Sequence, residues 1–289
     1  MSVRSADETA FFVPDTLDAA VEALSTPDAI ALAGGTSVGL LLGQGLLVPS
    51  VLVWLGRIPE LSALDEADGR LSIGASTTLA TLAAHPRVRA TLPALADAAG
   101  SVGNVRVRSV ATVGGALAHA DPRQDVPPAL LALDARVEVV GPQGRRVLAV
   151  DELIDGFMST ALAPDEVITA VHVPVPRGRR SSYLRFTPGS ADDYPTVLVA
   201  ATVAVRDGVP IGATLAVGGA GPTPYLVPEA DALAAVPVGQ WADVVAEVAD
   251  AAERRADPVS DRLGSAPYKR RMVAVWARRV LEQCLPATA

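Results

Sequence analysis

The stretch "ALAGGTSVGLLLGQG", residues 31–45, joins a short apolar run to a leucine-rich segment through Gly34, Gly35, Thr36 and Ser37. Glycine lets a backbone approach a ligand closely and adopt positive φ. Successive amides in such a turn form an anion-binding nest. A helix starting there aims its positive end at the same place. The segment therefore suits a pyrophosphate, and it suits a plain strand-to-helix turn as well. It is neither a G-x-G-x-x-G fingerprint nor a lysine-bearing P-loop. Its surroundings read as a small βαβ unit with a parallel sheet. "DTLDAAVEALS" (15–25) is an amphipathic helix with Asp15 or Thr16 as N-cap and Leu17, Ala20, Val21 and Leu24 on one face. "AIALA" (29–33) and "SVLVWL" (50–55) are apolar strands, with a short helix from Val38 between them.

A second glycine pair stands in "SVATVGGALAHADPRQD", residues 109–125. Thr112, Gly114 and Gly115 precede a polar patch of His119, Asp121 and Asp125 in an otherwise apolar sequence. Two glycine loops from different parts of one fold suggest a site for a large phosphate-bearing cofactor. Each polar residue also has a plain structural reading. His119 reads as a satisfied core histidine, Asp121-Pro122 as a turn, and Asp125 as the N-cap of "VPPALLALDA".

Between and beyond these stretches, "RLSIGAST" (70–77), "RVEVVG" (136–141), "RRVLAV" (145–150) and "EVITAVHVPV" (166–175) read as strands, the last three of an antiparallel sheet. An alanine-rich segment before His85-Pro86, "LPALADAAGSVG" (92–103) and "DVPPALLALDA" (125–135) read as helices, the last with Pro127 and Pro128 in its first turn. "PVPRGRRSS" (174–182) breaks the composition and marks a domain boundary, with "RRSS" as solvated linker. Three further strands (from 182, 196 and 212) and two helices (239–256 and 266–284) complete the chain. Lys269, Arg270 and Arg271 read as a solvated helix face. Trp54, Trp241 and Trp276 read as packing residues.

Composition narrows the function. Of 289 residues, 50% are apolar and 19% charged, which supports real hydrophobic cores. The formal charge is -8 without a long basic run, which argues against nucleic-acid binding. One cysteine, Cys284, gives no disulfide within the chain and no ligand cluster for zinc or iron–sulfur. The three histidines are far apart, so no metal site is expected. The N-terminal "MSVRSADETAFF" lacks a signal-peptide core, and no apolar run reaches the length of a spanning helix. The expectation is a cytoplasmic protein without membrane insertion.

"LAGGTSVGLLLGQGLLVPSVLVWLGRIPEL" followed by "SVATVGGALAHADPRQDVPPALLALDA" resembles the FAD-binding medium subunit of molybdenum hydroxylases, the xanthine dehydrogenase and carbon monoxide dehydrogenase group. The likeness continues through "DELIDGFMSTALAPDEVITAVHVP", "SSYLRF", "DDYPTVLVAATV" and "SAPYKRRMVAVWARRVLE", nearly the whole chain. It implies an α+β fold: two α/β FAD-binding subdomains of the vanillyl-alcohol-oxidase (PCMH) type, about 1–56 and 57–176, then a C-terminal flavoprotein domain, 177–289, of a three-stranded antiparallel sheet and a helical bundle. It implies that Ala33, Gly34, Gly35, Thr36 and Ser37 hold the FAD pyrophosphate. Thr112, Val113, Gly114, Gly115 and Ala116 then form the second cofactor loop, and Asp125 contacts the cofactor. Val167 would make a backbone contact near the adenine, with Arg185 near the flavin and Tyr194 beside the isoalloxazine. The chain departs from the family at Ala116, where asparagine is usual, and at Arg185, where lysine is usual. The implied role is an electron-transfer subunit that passes electrons from 2Fe-2S clusters in a small subunit to an external acceptor. A molybdopterin-binding large subunit would oxidise the substrate. The alternatives are a stand-alone FAD oxidoreductase of the same fold and a flavin-free scaffold subunit.

Overall fold

The chain enters the structure, a computed structural model describing residues 9–175, 177–190, 193–234 and 236–286, through β1 (Ala10–Phe12), a strand the sequence reading does not mark. The opening residues 1–8 and the proposed boundary residue 176 lie outside the described residues. Helix α1 (Leu17–Leu24) is capped by Thr16, whose hydroxyl accepts from the Ala19 amide at 3.2 Å, and buries Ala20, Val21 and Leu24. Strands β2 (Ala29–Leu32) and β3 (Val51–Trp54) pair in parallel, and β1 joins the other side of β3 in parallel. Helix α2 (Thr36–Gly43) lies between β2 and β3, as the βαβ pattern predicts, but it begins two residues earlier, directly after Gly35.

A five-stranded antiparallel sheet follows. It contains β4 (Leu64–Ala67), β5 (Arg70–Gly74), β6 (Arg136–Gly141), β7 (Gly144–Ala149) and β8 (Val167–Pro174) in the order β4-β5-β8-β6-β7. Asp68 and Gly69 both take positive φ in the β4–β5 turn, as a tight two-residue hairpin requires. Helices α3 (Leu79–Ala84), α4 (Pro86–Thr91), α5 (Pro93–Ser101), α6 (Val105–Arg108), α7 (Val113–His119), α8 (Val126–Ala132) and α9 (Val150–Leu153) complete this part of the chain. Leu71, Ile73, Val137, Val139, Val171 and Val173 of the sheet share one core with Leu79, Leu95, Leu117 and Leu130 of the helices.

The last third forms a four-stranded antiparallel sheet. The meander β9 (Arg179–Phe186), β10 (Val197–Arg206) and β11 (Val209–Gly218) is extended by the two-residue strand β12 (Tyr225–Leu226). This corrects the expected three strands. The expected helical bundle is a pair, α10 (Trp241–Arg255) and α11 (Ala266–Cys284). Strand β10 is apolar on both faces. Val197, Val199, Ala201 and Val203 pack under α10 and α11, whereas Leu198 and Ala200 belong to the core built on the five-stranded sheet. Each such valine or leucine contributes about 1.5–3 kcal/mol by leaving water.

Two readings of charged residues need correction. "RRSS" is not a solvated linker but the start of β9. Arg179 donates to the Leu133 carbonyl at 3.2 Å, Arg180 to the Leu285 carbonyl at 2.8 Å, and the Ser181 hydroxyl accepts from the Ala94 amide at 3.3 Å. Lys269 is not on a solvated face either; it is 3% exposed. Among the described residues, no helix is long and apolar enough to cross a membrane.

Candidate functional site

Strand β2 delivers the chain into Ala33 and Gly34, and Gly35 turns it into α2. Gly35 has φ 71°, the left-handed region where a Cβ is costly. It also lacks a side chain to cap the helix. The amides of Thr36, Ser37 and Val38 in the first turn have no acceptor within α2, and all three residues line a cavity of about 600 Å³. The positive end of the helix lies at the same wall. Gly34 has a different duty. A Cβ there would fall 1.9 Å from the Val110 carbonyl oxygen and 2.9 Å from the Ala111 Cα. The two glycine-bearing segments therefore touch backbone to backbone.

The second segment is not a loop. Thr112 is the N-cap of α7, and its hydroxyl accepts from the Gly115 amide at 3.1 Å. The Val113 amide donates to the Thr77 carbonyl at 3.1 Å, Gly114 to the Ala75 carbonyl at 2.8 Å, and Ala116 to the Thr112 carbonyl at 3.0 Å. All four amides are thus used within the protein. A Cβ at Gly114 would lie 2.6 Å from the Ala75 Cβ, so this glycine lets α7 lie against the end of β5. Thr112, Gly115, Ala116 and His119 line the cavity; Val113 and Gly114 stand behind its wall. The two glycine pairs have different tasks: the first opens amides to the cavity, the second packs.

Another part of the cavity wall is polar. Asp125 occupies the N-cap position of α8 but does not cap it. Its buried carboxylate accepts from the Tyr183 hydroxyl at 2.6 Å and pairs with the Arg185 guanidinium at 3.1 Å. Burial pushes the Asp125 carboxyl above its ordinary value, while Arg185 and Tyr183 pull it down. The Tyr183 phenol is raised well above its usual range, by burial first and by Asp125 next. From β9, Arg185 also donates to the carbonyls of Ser101 and Asp193, tying the end of α5 to the segment before Tyr194. Tyr194 is more than half exposed at the rim.

Of the residues singled out in the sequence, Ala33 to Ser37, Thr112, Gly115, Ala116, Asp125, Arg185 and Tyr194 meet around this one cavity. Val167 does not. It lies in β8, and its side chain packs in the core with Ala20, Leu24 and Val53. The structure adds residues outside the set that the sequence indicates: Asn104, Val107, Arg123 and Gln124. Asn104 caps α6, its side-chain oxygen accepting from the amides of Arg106 and Val107 at 3.0 and 3.3 Å. The Gly103-Asn104 pair is an ordinary helix-start signal that could have found it. Arg123 has no such local signal.

An apolar cavity with a few convergent polar groups and one anion-binding end has the character of a site for a cofactor. Known proteins agree with that class. Residues 6–176 match the family described as FAD binding domain in molybdopterin dehydrogenase, and residues 182–284 match the CO dehydrogenase flavoprotein C-terminal domain. The chain belongs to the FAD-binding medium subunits of the molybdenum hydroxylases, the carbon monoxide dehydrogenase and xanthine dehydrogenase family. The nicotine 6-hydroxylase medium subunit of Paenarthrobacter nicotinovorans is 34% identical over 93% of this chain and 94% of its own length. The carbon monoxide dehydrogenase medium chain of Afipia carboxidovorans is 31% identical over 89% and 88%. Carbon monoxide dehydrogenase from Hydrogenophaga pseudoflava has a structure that superposes with a TM-score of 0.90 at 30% identity, covering 95% of this chain and 96% of that one.

Proposed function

We propose that this chain holds FAD as the electron-transfer subunit of a molybdenum hydroxylase complex. In this reading it receives electrons from 2Fe-2S clusters of a small subunit and passes them to an external acceptor. A molybdopterin-binding large subunit oxidises the substrate. The observation that carries the proposal is the uncapped start of α2 opening on a cavity of about 600 Å³. The relatives support the assembly, since the matching nicotine 6-hydroxylase and carbon monoxide dehydrogenase chains are medium subunits. The two family matches also support division into a FAD-binding domain, 1–176, and a C-terminal flavoprotein domain, 177–289.

The residues present fit the cofactor. The amides of Thr36, Ser37 and Val38, with the positive end of α2, would receive the pyrophosphate. Ala33, Gly34 and Gly35 hold that turn in place. Thr112, Gly115 and Ala116 would border the cofactor along α7, with Val113 and Gly114 keeping the helix seated. Asp125, Arg185 and Tyr194 would border its other end. FAD, when bound, supplies the redox chemistry, taking up and releasing electrons singly or in pairs. The chain orients the cofactor and sets its surroundings through hydrogen bonds and fixed charge. Arg185 is not equivalent to the lysine usual in the family, because its planar fork spans three acceptors at once.

The test is direct. The purified chain is expected to be yellow, and acid precipitation is expected to release FAD into the supernatant. Flavin held in the pellet would contradict non-covalent binding, and FMN in the supernatant would contradict the pyrophosphate argument. Isolation from the native host through a terminal tag is expected to bring molybdopterin and iron–sulfur absorbance with it. A lone monomer that oxidises a small organic substrate at its flavin would replace this reading with a stand-alone oxidoreductase.

A further inference from the structure

Arg123 lines the cavity two residues before Asp125, and it is fastened from the far end of the chain. Its Nη2 donates to Asp261 Oδ2 at 2.6 Å. Asp261 is held in turn by Lys269 of α11. The Lys269 Nζ lies 2.7 Å from Asp261 Oδ1 and donates to the Val259 carbonyl at 2.9 Å. A lysine is almost never this buried unless paired. The Leu263 amide also donates to Asp261 Oδ1, at 2.8 Å, and the Ala266 amide donates to the Ser260 hydroxyl at 2.8 Å. The segment from Val259 to Ala266 is thereby pinned to the start of α11. The backbone around Arg123 is fixed as well. Its amide donates to the Asp121 carboxylate at 2.8 Å, and the Gly219 amide donates to the Pro122 carbonyl at 2.8 Å.

This arrangement differs from an ordinary surface ion pair, in which two long side chains sample many rotamers for little net gain. Lys269 engages one oxygen of Asp261 and leaves the other for Arg123. The carboxylate therefore keeps both its charge and its direction, and the residue it holds lines the cavity. At the cavity, burial raises the Tyr194 phenol above its ordinary value, Asp121 raises it further and Arg123 lowers it.

We propose that Arg123 contacts the cofactor at the Asp125 end of the cavity, and that Asp261 and Lys269 are positioning residues that hold it there. The inference rests on the reading of the cavity as the FAD site. It makes the loop before α11 a determinant of the flavin's surroundings.

The experiment is a double-mutant cycle on the full chain with Arg123→Gln, Asp261→Asn and the pair. FAD affinity is read by flavin fluorescence and the environment of the bound flavin by visible circular dichroism. Loss of one charge-assisted contact is expected to weaken FAD binding roughly tenfold in each single variant. Because both act through one contact, the double variant is expected to lose roughly tenfold too, not a hundredfold. Both single variants are expected to change the flavin dichroism in the same way. Independent losses that multiply in the double variant would overturn the proposal. So would a lowered melting temperature with unchanged affinity and dichroism, the result of a purely structural tie. If Asp261→Asn does not fold, Arg123→Gln decides alone, and wild-type affinity and dichroism in it overturn the proposal. A wild-type chain that binds no FAD would instead remove the proposed function itself.

Discussion

Replacing Gly34 with alanine adds one methyl group where the fold has no room for it. The new Cβ would lie 1.9 Å from the Val110 carbonyl oxygen, 2.6 Å from its carbon and 2.9 Å from the Ala111 Cα. These are backbone atoms in a fixed segment: the Ala111 amide donates to the Val107 carbonyl, and its carbonyl accepts from Leu79, both at 2.8 Å. To restore ordinary contact near 3.5 Å, the two segments must part by about 1.5 Å. Forced overpacking of this kind costs about 1–3 kcal/mol. It also carries Gly35 and the first amides of α2 away from the cavity, so FAD affinity falls along with stability. Two neighbouring glycines serve as controls. Gly35→Ala meets only Leu32 Cδ1 at 3.5 Å, so its penalty is the left-handed φ alone, about 1–2 kcal/mol. Gly39, inside α2, has nothing within 4 Å of a new Cβ, and alanine there gains about 0.8–1 kcal/mol of helix propensity. Thermal unfolding of the apo chain is expected to rank Gly39→Ala above wild type, then Gly35→Ala, then Gly34→Ala. Fluorescence titration is expected to give Gly39→Ala wild-type FAD affinity and Gly34→Ala little or none. A Gly34→Ala chain with the midpoint and affinity of wild type would refute the reasoning.

Tyr183→Phe removes the 2.6 Å bond to buried Asp125 and is expected to cost about 1–3 kcal/mol in a denaturant titration; no change would mean that Asp125 is satisfied without it. Asp261 has its carboxyl held at about 2, below the ordinary 3.8, by Lys269 first and then by the Leu263 amide and Arg123. Its contribution is therefore present above the unfolded value and lost as pH falls from about 4 toward about 2. Asp261→Asn is expected to flatten the stability profile in that window, and an unchanged acid limb would count against the pairing. Cys284 is buried, and burial pushes its thiol up to about 12. It is expected to resist a thiol-specific disulfide reagent in the native chain and to react once only after unfolding; rapid native labelling would contradict its placement.

The parts of the fold written in local pattern were legible. Thr16 announces α1, the apolar runs announce β2 and β3, and the glycine turn between them announces a helix start. The rest depends on partners far away in sequence. "VGGALAH" reads as a loop because two glycines disfavour a helix. It becomes α7 because Thr112 caps it and because the carbonyls of Ala75 and Thr77 take its first amides. "RRSS" reads as linker because its arginines are charged, yet their partners are carbonyls at Leu133 and Leu285. Lys269 looks solvated until Asp261 is placed beside it. Around the cavity, the family resemblance points to Gly35, Asp125 and Arg185. It does not indicate that Gly34 serves packing, that Val113 and Gly114 stand behind the wall, or that Val167 belongs to another core. Arg123 and Asp261 are 138 residues apart, and no periodicity or motif links them.

Strand β10, clad on both faces, also joins the last third of the chain to the rest. Swinging the last third of the chain aside as a lid would bare Leu198 and Ala200 on one side of the strand and strip the matching surface from the helices beneath. The last third therefore holds to the rest of the chain through this strand, and its neighbour β9 keeps Tyr183 and Arg185 beside Asp125.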